Sequence, residues 1–207
     1  VNLISEQYLD EKGELTARNS GYAEVRREYN ETKQLIRESY WNADGTPCCL
    51  TDGYHAVSRI YDEAGNIAEE SWQDDHGKET IRRAGYSRVY RKYNEKKRMT
   101  QESYYAFGEP FVLTEGYASL ARDYDEAGNV TFEAYLDING NLVSRTTGYA
   151  AVQREYDQYN RMIREGYMDT AGNPIRNLSG YAVFEREYNS LGDVIREKYY
   201  SEEGNIA

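Results

Sequence analysis

A Gly-Tyr dipeptide opens six segments of this chain, at Gly21, Gly53, Gly85, Gly116, Gly148 and Gly180, with a spacing of 32 residues at every step but one of 31. A fixed period in this range marks a repeat array, in which each unit buries little surface alone and its neighbours complete the core. The reading is one array over 1–207: a half repeat at 1–20, repeats at 21–52, 53–84, 85–115, 116–147 and 148–179, and a partial repeat at 180–207. Both ends fall in mid-repeat. The sequence therefore predicts flanking repeats or domains of a longer parent chain.

Within each unit the first run alternates, as in VRREY, VSRIY, LARDY and FEREY. Period two over five or six residues, with β-branched and aromatic side chains, is a strand signal. A turn opened by Asp or Asn follows, with Gly placed for positive φ at Gly65 and Gly128. A second run (LIRESYW, IAEESWQ, VTFEAYL) then closes on another Asx-x-x-Gly turn at 42–45, 74–77, 137–140 or 169–172. The missing residue of the third unit falls in this second turn, near Phe107, where a loop tolerates loss and a strand does not. Turns this frequent leave no room for helices. The predicted fold is all-β: tandem, roughly 32-residue antiparallel β-hairpin repeats in an elongated, curved or superhelical single-sheet, solenoid-like array.

Counting from each Gly-Tyr, position 7 is always Arg (Arg27, Arg59, Arg91, Arg122, Arg154, Arg186) and position 18 always Glu (Glu38, Glu70, Glu102, Glu133, Glu165, Glu197). A four-residue first loop places these residues opposite each other, with Val at 5 facing the aromatic at 20. A three-residue loop with a Gly bulge shifts the pairing by one. The four-residue register is preferred because it gathers the recurrent positions on one face. Catalysis needs one singular pair of carboxylates with unequal pKa values, whereas six equivalent copies read as a structural ladder of ion pairs.

Three aromatic rows recur, at positions 2, 9 and 20, and read first as core and inter-repeat stacking. Tyr90, Tyr105, Tyr159 and Tyr200 fall outside them and are the candidate surface contacts. No catalytic or metal-binding residue is predicted, and no cofactor. Neither His55 nor His76 has a Cys or His at ligand spacing, and the acidic turns lack a complete calcium loop. Cys48 and Cys49 are adjacent and cannot staple a fold, which leaves their role open between small strand residues and a thiol site. The net charge of −11 argues against a nucleic-acid partner, and no apolar run is long enough for membrane insertion.

Tyr61-Asp-Glu-Ala-Gly-Asn66 and Tyr124-Asp-Glu-Ala-Gly-Asn129 resemble the tyrosine-aspartate (YD) repeats of RHS-type bacterial surface and toxin proteins. The resemblance implies β-hairpins joined into a strip, found at cell surfaces, in carbohydrate binding and in toxin encapsulation. The period here is longer, the Gly-Tyr linker is additional, and six units are few for a shell. Taken together, the expectation is a non-catalytic module that binds a glycan or protein ligand through exposed tyrosines. It would be secreted or at the surface of a bacterium. The alternative is a structural spacer or scaffold segment of a larger RHS-like protein, and an enzyme ranks last.

Overall fold

The computed structural model describes residues 2–207, and every regular element among them is a β-strand. After β1 (Ser5–Gln7) come the hairpins β2–β3 (Glu24–Tyr29, Leu35–Trp41), β4–β5 (Ala56–Tyr61, Ile67–Gln73) and β6–β7 (Arg88–Tyr93, Met99–Ala106). The two-residue β8 (Glu109–Pro110) pairs with the end of β7. Hairpins β9–β10 (Ser119–Tyr124, Val130–Leu136), β11–β12 (Ala151–Tyr156, Met162–Met168) and β13–β14 (Val183–Tyr188, Val194–Tyr200) follow. The strands form one open antiparallel sheet ordered as in the chain, with β8 off that path. Two compact units are distinguished, one of residues 1–92 and 104–111, the other of 93–103 and 112–207.

The core of each unit sits at position 5. In the first, Val25, Val57 and Val89 are buried; in the second, Leu120, Val152 and Phe184 are. Val25 lies opposite Tyr40, Val57 opposite Trp72, Leu120 opposite Tyr135 and Val152 opposite Tyr167. A buried aliphatic side chain of this size stabilises by about 1.5–3 kcal/mol, and the aromatic directly across the ladder is its cross-strand partner.

The first turn corrects the expected loop length while keeping the expected pairing. Asn30 N donates to Gln34 O and Lys33 N to Asn30 O, so that three residues, 31–33, form the loop, with Lys33 at φ 65°. Tyr29 then pairs with Leu35, but Glu28 pairs with Arg37, so Ile36 is an extra residue that restores the register. The same one-residue bulge recurs at Ala68, Thr131, Ile163 and Ile195. Two irregularities of opposite effect thus bring Arg27 opposite Glu38. The Asx at position 10 is explained locally: Asp62 Oδ1 accepts from Asn66 N at 2.8 Å, and Asn94 Oδ1 from Lys96 N and Arg98 N at 3.0 Å.

The shortened third unit keeps its second turn by tightening it. Ala106 pairs with Glu109, leaving Phe107 and Gly108 as a two-residue turn, both at positive φ (51° and 88°). That geometry matches the right-handed twist of a hairpin. The hydroxyl of Ser87 accepts from Phe107 N at 2.9 Å and helps hold a non-glycine residue there.

The hairpin tips show an order that the 32-residue period hides. At position 13 the first, third and fifth repeats carry Lys33, Lys97 and Asn160, whereas the second, fourth and sixth carry Gly65, Gly128 and Gly192. At position 14 the same alternation puts Gln34, Arg98 and Arg161 against Asn66, Asn129 and Asp193. The long side chain of each odd repeat lies on the glycine of the next. A Cβ on Gly65 would stand 3.3 Å from Gln34 Nε2, and one on Gly128 only 2.8 Å from Arg98 Nη2. Arg98 Nη2 also donates to Glu126 O at 2.9 Å, and Arg161 Nη1 to Asn189 O at 3.3 Å. The far loops alternate too: Asp52 pairs with Arg82 at 2.6 Å, and Thr146 N donates to Glu115 O at 2.8 Å. At both ends of the strands the hairpins thus interlock within couples, and between couples Asn129 Nδ2 donates to Asn160 Oδ1 at 3.0 Å.

Candidate functional site

Alternation along the strands gives the sheet two unlike faces. Positions 5, 7, 9, 18 and 20 point one way and recur; positions 4, 6, 17 and 21 point the other way and vary.

On the recurrent face each position-7 guanidinium meets a position-18 carboxylate. Arg27 Nε stands 2.8 Å from Glu38, Arg59 Nε 3.0 Å from Glu70, Arg122 and Arg154 Nε 2.6 Å from Glu133 and Glu165, and Arg186 Nε 2.8 Å from Glu197. Arg27 also reaches Glu6 of the preceding half repeat at 3.1 Å, and Arg91 reaches Glu70 at 2.8 Å. Glu102 is half-buried on β7, opposite Leu120. The position-20 phenol donates to the same carboxylate: Tyr40 to Glu38 at 2.7 Å, with Tyr135–Glu133 and Tyr167–Glu165 alike.

Burial by itself would raise the Glu133 carboxyl pKa. The hydrogen bonds from Tyr135 and Arg122 and the charges of Arg122 and Arg154 overcome it, leaving the group below its ordinary value. Glu70 follows the same balance, through Arg91 and Arg59. Burial, then the bond to Glu133, raises the Tyr135 phenol, so it remains the donor. Guanidinium, carboxylate and phenol bond one another in copy after copy, while Nη1 of Arg27 and of Arg59 is buried with no hydrogen-bond partner.

Within each unit the aromatic rings of positions 2 and 20 alternate in a stack. In the first unit it runs Tyr8, Tyr22, Tyr40, Tyr54, Trp72, Tyr86 and Tyr104, with ring centroids 5.0–6.4 Å apart. In the second it runs Tyr117, Tyr135, Tyr149, Tyr167, Tyr181 and Tyr199, at 4.9–6.0 Å. Arg82 lies over Trp72 at 4.8 Å and Arg145 over Tyr135 at 4.7 Å. Position 9 uses its hydroxyl between repeats: Tyr61 donates to Leu35 O at 2.8 Å, Tyr124 to Met99 O at 2.6 Å and Tyr188 to Met162 O at 2.9 Å. The Leu35 and Met162 carbonyls belong to the residue just before an extra bulge position, where the ladder is interrupted.

Of the four off-pattern tyrosines, two come together. Tyr90 and Tyr105 lie on the variable face of the first unit, edge to face, with centroids 5.1 Å apart. Arg88 Nη1 donates to Tyr90 Oη at 3.3 Å, and its guanidinium is held by Glu69 at 3.0 Å and Glu79 at 2.7 Å. Tyr159 stands at a hairpin tip, 67% exposed, with Arg161 4.9 Å from its ring. Tyr200 is half-buried and donates to Glu185 at 2.7 Å. Trp41, which sequence reasoning passed over, shares position 21 with Tyr105 and Tyr200 and carries Arg26 at 3.9 Å. Its signal was the odd-even alternation, which separates position 21 from the stacked row at 20.

His55 is buried, with Nδ1 3.3 Å from Cys48 O and its ring 5.0 Å from Trp41. It replaces the buried alanine of Ala23, Ala118, Ala150 and Ala182. His76 is exposed. Cys48 is buried, Cys49 exposed, and both are free. Among the described residues no group of three His, Cys, Asp or Glu side chains is placed to hold a metal ion. Shallow clefts between hairpin tips recur, one lined by Asn30, Ile36, Arg37 and Tyr61, another by Asp157, Ile163, Arg164 and Tyr188.

No family model matches the chain, and no curated protein sequence does. Among solved structures, a crystal structure of TcdB2-TccC3-Cdc42 aligns at 13% identity and a TM-score of 0.40, over 98% of this chain and 11% of that one. A Photorhabdus luminescens Tc holotoxin pore with a TccC3 mutation gives 13%, 0.39, 98% and 11%. A crystal structure of TcdB2-TccC3 gives 11%, 0.30, 95% and 12%. The chain thus spans about an eighth or less of the structures it is similar to, and at these scores the likeness assigns neither a family nor a function.

Proposed function

We propose that this chain is a non-catalytic structural repeat module, a scaffold with one face given to holding it together and the other free to vary. The observation that carries this reading is the repetition of one Arg–Glu pairing, joined by a tyrosine hydroxyl, from copy to copy. A catalytic site would leave one such group unlike its copies. Thermal unfolding of Arg122→Met tests it: a melting temperature equal to that of the parent chain would remove the ladder, and with it the scaffold argument.

A second reading, binding of a glycan or protein ligand at a bacterial surface, is supported by Tyr90 and Tyr105. Two partly exposed rings beside a carboxylate-held guanidinium suit stacking on a sugar ring or a flat side chain. Tyr159 and Tyr200 lie apart from this pair, which keeps binding second to the scaffold reading. A glycan array with the chain and its Tyr90→Ala/Tyr105→Ala variant tests it. Loss of a glycan signal at unchanged melting temperature would favour binding; silence across the array would count against a glycan ligand.

A further inference from the structure

We propose that the corner formed by Tyr90 and Tyr105, with Glu69 at its side, takes the guanidinium of an arginine presented by a protein partner. This rests on the binding reading of the same two tyrosines and names the group they bind.

Around the junction of the second and third repeats the chain departs from its other copies at several positions, and the departures meet in one place. Position 27 is Glu79, where Leu15, Pro47, Leu142, Pro174 and Ile206 stand elsewhere. Position 3 is Ser87 in place of the usual buried alanine, and its hydroxyl donates to Glu79 at 2.5 Å. The same hydroxyl accepts from Phe107 N in the shortened turn. Arg88 joins Glu79 to the Tyr90 hydroxyl through its two terminal nitrogens, and Tyr90 meets Tyr105.

The two rings stand at 90°, so that two electron-rich faces bound one corner. Such a corner encloses a compact cation, whereas a sugar ring stacks on one broad open face. Tyr90 is 39% exposed, and Glu69 lies directly opposite it across the β5–β6 pair. Glu69 and Glu79 share the one guanidinium of Arg88, which leaves the cluster with an excess negative charge. Arg88 reaches the Tyr90 hydroxyl rather than the ring face, and no guanidinium among the described residues covers either ring.

What a ring beside a carboxylate holds can be read elsewhere in the molecule. Arg26 lies 3.9 Å over Trp41, the position-21 ring of the first repeat, and is held by Glu24 at 2.8 Å. Arg82 lies 4.8 Å over Trp72 with Asp52 at 2.6 Å, and Arg161 lies 4.6 Å over Tyr188 with Asp157 at 2.6 Å. At position 6, where Arg26 supplies the cation, the third repeat has Tyr90 itself. The cation that completes the set therefore has to come from a partner. A net charge of −11 draws basic segments toward the chain and turns acidic ones away.

The test is an NMR titration of the whole chain, carrying ring-labelled tyrosine, with N-acetyl-arginine amide. N-acetyl-citrulline amide, planar but uncharged, is the control. The signals lost in Tyr90→Ala and in Tyr105→Ala identify the two rings. Both should shift saturably with the arginine probe and bind the citrulline probe at least about tenfold more weakly. Glu69→Gln should weaken the arginine probe about two- to fivefold at an unchanged melting temperature. Equal response to the two probes, indifference to Glu69→Gln, or no saturable shift overturns the proposal. A glycan-array signal that depends on Tyr90 and Tyr105, without arginine binding, would keep the binding reading and discard this one; silence in both would discard both.

Discussion

The hairpin tips at 94–98 and 125–129 are adjacent copies of one turn, and each solves the left-handed position differently. Lys97 adopts φ 60° with a full side chain, while Gly128 adopts φ 107° with none. An L-residue in that region costs about 1–2 kcal/mol, so its own backbone would favour glycine at both places. The glycine is found where the neighbour demands it, under the guanidinium of Arg98. The identity of a turn residue in this array is thus set by contact across repeats as much as by its own conformation.

Four measurements would break or sharpen that contrast. The largest effect is expected where the two kinds of hairpin are alike. Arg122→Met and Arg154→Met each leave a half-buried carboxylate without its guanidinium, costing about 2–4 kcal/mol in urea unfolding. The two losses should agree within about 0.5 kcal/mol; a clear gap would mean that the couples differ in their strands as well as their tips. Next, Gly128→Ala should lose about 1–3 kcal/mol, combining backbone strain with the clash against Arg98, while Lys97→Gly should stay within about 0.5 kcal/mol of zero. Equal losses at the two sites would end the distinction.

Smaller still is the coupling between Arg98→Ala and Gly128→Ala. In a double-mutant cycle the alanine at 128 should cost about 0.5–1 kcal/mol less once Arg98 is gone; strict additivity would show that φ alone selects the glycine. The smallest effect concerns a position where one repeat departs from the rest. Burial holds the His55 imidazole below its ordinary 6.5, so the unfolded chain takes up a proton more readily than the folded one. Stability associated with His55 is present above pH 6.5 and falls as the pH drops through that value. His55→Ala, which installs the residue of Ala23 and Ala150, should be flatter over that range.

Strand positions were legible in the sequence because a two-residue period in VRREY or LARDY has one physical meaning when a turn follows it. The pairing of Arg27 with Glu38 was reached through a four-residue loop, while the structure reaches it with a three-residue loop and Ile36 bulged out. Two compensating one-residue shifts leave no trace in spacing. The shared role of the position-2 and position-20 rings was half visible: both rows recur, but their alternation in one stack depends on how a Gly-Tyr linker folds back. The coupling of tips was present as letters, in Gly65, Gly128 and Gly192 alternating with Lys33, Lys97 and Asn160. It escaped because a comparison aligned on Gly-Tyr looks for what every copy shares. Tyr90 and Tyr105 were identified as exceptions, yet their proximity follows from the sheet and could not be read from order along the chain.

The interlocking of Gln34 with Gly65, Arg98 with Gly128 and Arg161 with Gly192 sets a rule for lengthening or shortening the array by recombination. Excising one hairpin would bring two tips of the same kind side by side: Gln34 beside Lys97, Arg98 beside Asn160, or two glycine tips together. Excising a couple restores every contact. Copy number in such a lineage should therefore drift in steps of two.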